Sequence, residues 1–141
     1  MSSTNSILAA AGRLLLAAIF LISGLGKLAD PAGTQAYIAA AGLPVPLLAY
    51  LAAVAVEVVG GLLLIVGYRT RLVALVIAAF SIAAALGFHH NFADMNQMIH
   101  FLKNVAMAGG LLQVAAFGAG SLSLDARRER GGSQRLATQS P

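Results

Sequence analysis

The polar side chains of this sequence are concentrated in one stretch, FHHNFADMNQMIHFLKN, which covers residues 88–104. All three histidines lie there together with Asp94 and Lys103, although only 10% of the residues are charged. Imidazole and ammonium groups donate hydrogen bonds and protons, and they stabilise the oxyanion that forms when a carbonyl is reduced. The stretch therefore predicts a pocket for an anionic or carbonyl-bearing small molecule.

The rest of the chain has the composition of a membrane protein. Of its 141 residues 59% are hydrophobic and the mean hydropathy is +0.84, whereas about 25% of the residues of soluble domains are charged. The length is sufficient for one domain. The sequence contains no cysteine, which rules out disulfides, thiolate metal sites and cysteine nucleophiles. Any redox role therefore needs a bound cofactor or a redox-active substrate.

Four apolar runs predict an all-α integral membrane four-helix bundle, because each run is close to the roughly 17–25 residues that cross the hydrocarbon core. Pro31 at one end and Gly42 with Pro44 at the other predict a short interfacial helix between spans one and two. The expected organisation is an N-terminal tail over 1–6, a membrane domain over 7–119 with spans at about 7–27, 47–67, 72–88 and 101–118, and a disordered basic tail over 120–141.

The distribution of positive charge predicts the orientation in the bilayer. The net charge is +4 and the pI about 10.1, but the basic residues do not form one face, so no nucleic-acid partner is expected. With four spans, both termini lie on the side that carries the arginines: Arg13, Arg69, Arg71, Arg127, Arg128, Arg130 and Arg135. The positive-inside rule makes that side cytoplasmic and places residues 88–104 at the external face.

Four charged residues fall within the predicted spans, Arg13, Lys27, Glu57 and Lys103, and of these Arg13 and Glu57 lie well away from the span ends. Glu57 lies near the middle of span two, where an unpaired carboxylate is strongly disfavoured. Counting residues from the cytoplasmic ends puts Arg13 within about 6 Å of the depth of Glu57, and it puts Lys27 about 13 Å away, which makes Lys27 a poor direct partner. Two interpretations stay open: a structural Arg13–Glu57 ion pair, or a catalytic Glu57 that donates or relays protons.

Three spans meet at the external side, where spans one and three end and span four begins. His89 shares a helix face with Ser81 and Ala85, which directs it inward. We expect the polar side chains of this end to converge on one mouth. The predicted catalytic residues are His89, His100, Lys103 and Glu57, and the predicted ligand contacts are Lys27, Asn104 and His90.

Simpler interpretations of these residues stay open at this point. Lys27 alone is typical of a lysine at a helix C-terminus whose ammonium reaches the interface, and the histidines are compatible with an ordinary polar loop at a membrane face. The histidines and Asp94 offer enough ligand atoms for a metal. However, adjacent histidines on a helix point about 100° apart and two ammonium groups repel a dication, so no metal is predicted.

Four segments stand in a distinctive order: ISGLGKLADPAGTQAYIAAAGLP, EVVGGLLL followed by GYRTR, HHNFADMNQMIHFLKN, and GGLLQVAAFGAGSLSLD. Their order and spacing, from Arg13 to Asp125, resemble those of the DoxX family of small bacterial inner-membrane proteins. The resemblance implies a four-helix bundle in the bacterial cytoplasmic membrane. Members are often labelled oxidoreductases, and some look like accessory proteins of aromatic-compound, quinone-stress or efflux systems. The family name is shared with subunits of a thiosulfate:quinone oxidoreductase, whose extra domain this chain lacks.

The residues and the resemblance together give two functional hypotheses. In the first, an oxidoreductase or oxidoreductase subunit binds a quinone or small quinone-like aromatic at its external face. There Lys27 and Lys103 stabilise the oxyanion, His89 and His100 donate protons, and Asn104 orients the ring, with electrons from a partner subunit or a small reductant. In the second, the same pocket holds a small aromatic or lipid in a non-catalytic accessory subunit of a larger membrane complex, such as an efflux system.

Overall fold

The computed structural model describes residues 3–137, with side chains up to residue 132, and all its regular structure is helical. The third helix contains a π-helical turn at Ala55–Val59. The helices are α1 (Ser3–Ala29), α2 (Pro31–Ala40), α3 (Pro46–Val66), α4 (Thr70–Phe88), α5 (Met95–Phe117) and α6 (Leu124–Ala137).

Three of the described helices, α1, α3 and α4, are long and apolar enough to cross a membrane. Large apolar side chains cover their outer surfaces: Leu15 and Ile22 on α1 are 76% and 72% exposed. Soluble monomers rarely expose apolar surface on this scale, so the outer face suits lipid. The prediction of an all-α membrane protein is confirmed. The predicted fourth span falls within α5, whose 23 residues extend about 35 Å, and its crossing of the membrane stays a prediction.

The bundle consists of two closely packed helix pairs, α1 with α3 and α4 with α5. Gly24 allows the first pair to approach closely, since a Cβ at this position would lie 2.7 Å from Val58 Cγ2 and 3.0 Å from Glu57 Cβ. Small residues have this role in membrane bundles generally. The buried apolar core joins both pairs and comprises Ala17, Phe20, Leu64, Val73, Ala74, Ile77, Ala78, Ala108 and Leu111.

The predicted short helix between the first two spans is α2. Pro31 is its first residue, and the carboxylate of Asp30 caps it by accepting a hydrogen bond from the backbone N–H of Gly33 at 2.9 Å. Proline is favoured at this position because its missing N–H would have no partner within the helix. The location of α2 at the membrane interface stays a prediction.

One end of the bundle holds both ends of the described chain. The hydroxyl of Ser121, which follows α5, donates a hydrogen bond to that of Ser6 in α1 at 2.6 Å. The same end contains the end of α3 and the start of α4, and we call it the terminal end. The opposite end, where α1 and α4 finish and α3 and α5 begin, is called the mouth end.

Arg13 lies at the terminal end and does not pair with Glu57. Its side chain is 2% exposed, and its guanidinium donates hydrogen bonds to the carbonyl oxygens of Leu64 at 2.8 Å, Ile65 at 2.9 Å and Leu122 at 2.7 Å. The predicted Arg13–Glu57 ion pair is therefore wrong. The final carbonyls of a helix lack partners within the helix, and those of α3 lie roughly 10 Å from Glu57 along the axis. Arg13 therefore donates to the final carbonyls of α3 and not to Glu57.

The disorder predicted for residues 120–141 is wrong for Leu124–Ala137, which form α6, and residues 138–141 lie outside the described residues. The carboxylate of Asp125 accepts hydrogen bonds from the backbone N–H groups of Arg69 and Thr70, each at 2.8 Å, and so caps α4. The prediction rested on the absence of apolar periodicity, whereas polar contacts dock this helix: besides the Asp125 carboxylate, the backbone N–H of Asp125 donates to the carbonyl of Gly67 at 2.9 Å and Arg128 lies over the ring of Tyr68. Burial opposes ionisation of Asp125, but the N–H donors of Thr70 and Arg69 and the charge of Arg128 outweigh it and lower its pKa.

Candidate functional site

A cavity of about 500 Å³ opens between the helices at the mouth end. Rings line much of it, including Phe20, Phe80 and a stacked pair formed by Tyr37 of α2 and Phe88 of α4, with centroids 5.3 Å apart. Alanines from α3 and α4 line the remaining apolar wall together with Ile19, Ile38, Leu43 and Met107. Apolar, aromatic walls with a few polar groups are typical of small-molecule sites, which commonly measure about 300–1,000 Å³. The polar lining residues are Ser23, Lys27, Glu57, His89, His100 and Asn104.

An ion pair between Lys27 and Glu57 lies in the wall of this cavity. The Lys27 ammonium is 3.0 Å from Oε1 and 2.8 Å from Oε2 of Glu57, and it also donates a hydrogen bond to Ser23 Oγ at 2.8 Å. The expectation that Lys27 is too distant from Glu57 is wrong. Side chains on a helix lean toward its N-terminus. Because α1 and α3 are antiparallel, Lys27 leans into the bundle while Glu57 leans toward the mouth end.

Glu57 occupies the π-helical turn of α3, a feature that occurs frequently at functional sites. The residue is 5% exposed. Its Oε1 accepts hydrogen bonds from both Ser23 and Lys27. Oε2 lies within ion-pair distance of the ammonium, but no described donor approaches it with hydrogen-bond geometry. A carboxylate offers about four acceptor positions, so Oε2 retains acceptor capacity.

Two histidines from different helices meet at the cavity. The rings of His89, which follows α4, and His100, in α5, are stacked with centroids 5.0 Å apart and planes 22° from parallel. Nδ1 of His89 lies 3.0 Å from Oε1 of Gln97. An amide oxygen only accepts, so this contact assigns the proton to Nδ1 and leaves Nε2 of a neutral ring as an acceptor. The predicted convergence of His89 and His100 is observed in the structure.

Asn104 of α5 also lines the cavity, as the sequence predicts. Its side-chain nitrogen donates a hydrogen bond to the backbone carbonyl of His100 at 2.9 Å, one turn earlier in the same helix. This contact uses one of the two amide N–H groups. The other N–H and the amide oxygen are the groups with which Asn104 can contact a ligand.

Two predicted site residues do not reach the cavity. Lys103 is exposed on α5, one residue and therefore about 100° around the helix from Asn104. His90 is exposed and borders a separate surface depression beside Tyr37. Asp94, considered as a metal ligand, instead caps α5 by accepting hydrogen bonds from the backbone of Asn96 and Gln97. Within residues 3–137, no three His, Cys, Asp or Glu side chains form a group that could hold a metal.

Three site residues are absent from the sequence-based prediction. Ser23 and Gln97 orient Glu57 and His89, and Tyr37 contributes a ring to the wall. Ser23 lies four residues before Lys27 on α1, a spacing that puts both side chains on one helix face. That spacing is a usable signal for Ser23. Gln97 has no comparable signal, because its contact spans the loop between α4 and α5.

Comparison with known proteins gives consistent results. The DoxX family model matches residues 8–90. Inner membrane protein YqjF of Escherichia coli (strain K12) is 39% identical over 116 residues, which cover 80% of this chain and 85% of the relative. Inner membrane protein YphA of the same organism is 36% identical over 131 residues, covering 89% and 93%. No solved structure matches the chain significantly. This membrane protein therefore belongs to the DoxX family.

Proposed function

We propose that the protein binds a quinone or a small quinone-like aromatic in the cavity at the mouth end and takes part in its oxidation and reduction, as an oxidoreductase or a subunit of one. The observation that carries the proposal is the combination of aromatic walls with a partly buried Lys27–Glu57 ion pair. A planar ring suits the walls, and polar substituents suit the charged and imidazole groups.

The polar groups supply the proton chemistry that such a ligand requires. Reduction of a quinone to a hydroquinone consumes two electrons and two protons. The Lys27 ammonium stabilises negative charge on a ligand oxygen, and Glu57 balances the ammonium while the site is empty. His89 and His100 exchange protons with the ligand, and Asn104 orients it. Lys103 and His90 have no part in this proposal, since both lie outside the cavity.

The electrons come from outside this chain in the proposal. The sequence contains no cysteine for thiol redox chemistry, so a partner subunit or a small reductant supplies them. The setting we propose is the bacterial inner membrane, with both termini cytoplasmic and the mouth end external. It is supported by the names of the relatives and by the arginines at the terminal end.

The proposal is tested by measuring ligand binding to pairs of variants, in which one variant changes a cavity residue and the other changes a similar residue outside the cavity. The purified protein is titrated with tetramethyl-1,4-benzoquinone and separately with its hydroquinone, and the complexes are counted by native mass spectrometry. Lys27→Met should weaken binding at least tenfold, whereas Lys103→Met should stay within twofold of wild type. In a second pair, His89→Ala should weaken binding at least tenfold and the adjacent His90→Ala should stay within twofold of wild type. Both variants leave the Lys27–Glu57 contact intact.

The proposal is overturned if neither compound binds the wild-type protein, or if the variants of both pairs lose affinity equally. A steady-state assay with an added reductant then separates the two hypotheses about catalysis. Turnover that disappears in His89→Ala supports the oxidoreductase. Binding without turnover, together with co-purification of a stoichiometric partner, supports a non-catalytic accessory subunit.

A further inference from the structure

The hydrogen-bonding groups around the cavity restrict the chemical form of the ligand. The Lys27 ammonium has three N–H groups, of which one is directed at Ser23 and one at Oε1 of Glu57. One N–H remains. Oε2 of Glu57 is buried, accepts no hydrogen bond from a described residue and lies 2.8 Å from the same ammonium. The third N–H and Oε2 thus adjoin each other in the ion pair that lines the cavity, and no described side chain engages either of them with hydrogen-bond geometry.

A ligand oxygen that meets the ammonium also lies beside the carboxylate. A quinone carbonyl has only lone pairs, so it accepts from Lys27 but leaves Oε2 without a donor and faces its negative charge. A hydroxyl group satisfies both neighbours, because it accepts from the ammonium through a lone pair and donates its own proton to Oε2. The ion pair therefore matches a phenolic hydroxyl better than a carbonyl.

The second helix pair, α4 with α5, also favours a ligand hydroxyl over a carbonyl oxygen. Nδ1 of His89 is occupied by Gln97, which leaves Nε2 of the neutral ring as an acceptor. A ligand hydroxyl donates to such a nitrogen, whereas a carbonyl oxygen finds no donor there. Two acceptors, Glu57 Oε2 and His89 Nε2, thus belong to helix pairs on different sides of one aromatic cavity.

We propose that the cavity takes the reduced, dihydroxylated form of the aromatic ligand, a hydroquinone, in preference to the oxidised quinone. This inference rests on the proposed function and specifies which redox state that site prefers. We expect the hydroquinone to bind at least tenfold more tightly than the quinone with the same ring. A tenfold preference raises the midpoint potential of this bound two-electron couple by about 30 mV.

The test compares two ligands with one carbon skeleton. Tetramethyl-1,4-hydroquinone and tetramethyl-1,4-benzoquinone are titrated anaerobically into the full-length protein in detergent, and binding is measured by calorimetry. Full methylation of the ring prevents addition of lysine amines to the quinone. Wild type should bind the hydroquinone at least tenfold more tightly. Equal binding, or tighter binding of the quinone, overturns this inference while leaving the proposed function intact. Binding of neither compound refutes the proposed function and this inference with it.

A variant tests whether Oε2 of Glu57 is an acceptor that causes the preference for the hydroquinone. Glu57→Gln replaces a carboxylate oxygen by an amide of similar shape, so the preference should fall clearly below the wild-type ratio, to the part that the acceptor Nε2 of His89 still supports. Glu129→Gln, the same exchange in α6 and away from the cavity, should keep the wild-type ratio. A Glu57→Gln protein that retains the full preference contradicts the role of Oε2. If this variant does not fold, the wild-type comparison still decides the inference.

Discussion

Replacing Arg13 by methionine removes the three hydrogen bonds of a buried guanidinium while keeping a long apolar stem. The guanidinium serves the carbonyl oxygens of Leu64, Ile65 and Leu122, and each acceptor left without a partner costs about 1 kcal/mol or more. We therefore expect Arg13→Met to lower the free energy of unfolding by about 3 kcal/mol. Arg71→Met is the matched control. It removes bonds to two carbonyls near the end of α5 from an exposed arginine, so it should cost less than about 1 kcal/mol.

The assay is denaturation by sodium dodecyl sulfate in mixed micelles, followed by the circular dichroism of the helices. Binding of the hydroquinone by the folded fraction is measured in parallel. Arg13→Met should bind with wild-type affinity, because Arg13 contributes nothing to the cavity. The reasoning is refuted if Arg13→Met is no less stable than Arg71→Met. It is equally refuted if Arg13→Met loses affinity to the same degree as Lys27→Met, since that result would indicate coupling of Arg13 to Glu57.

Two further predictions follow from close contacts in the bundle. Gly24→Ala should destabilise the protein by about 1–3 kcal/mol and weaken ligand binding, because the added Cβ displaces Glu57. Gly26→Ala, which meets nothing within 4 Å, should do neither in the same two assays. For Asp125 the pKa in the folded protein lies below the ordinary value of 3.8, so its stabilising effect is complete above that value and is lost as the pH falls through the folded pKa. The difference in melting temperature between wild type and Asp125→Asn should therefore be constant near neutral pH and narrow below pH 3.8, and a gap that widens in acid would contradict the capping role.

The helices of the bundle are predictable because their signals are local. Run length and hydropathy define the spans, and the proline after Asp30 marks the start of α2. Depth along a span also predicts which side chains share the mouth end, which is why His89, His100 and Asn104 appear together in the cavity. Counting residues along a helix gives the axial position of a side chain but not the direction in which it points.

The ion pairing is not predictable from axial position, because side-chain direction and helix approach decide it. Lys27 reaches Glu57 because the two side chains lean toward each other and Gly24 brings their helices together. Helix rotation likewise decides that Asn104 faces the cavity and Lys103 does not. Docking of α6 depends on Asp125 and Arg128 and on groups more than 50 residues away in the sequence, which no local pattern records.

The position of Arg13 constrains the order in which the molecule is assembled during synthesis. The arginine emerges in the first helix, yet its partners lie 51, 52 and 109 residues later in the chain. At about 5–20 residues per second, the ribosome needs roughly 5 to 20 s to deliver the last of them. During that interval we expect the guanidinium to stay near the membrane surface, where a long basic side chain can reach water. We therefore expect the first helix to reach its final depth only after the chain as far as Leu122 has been translated.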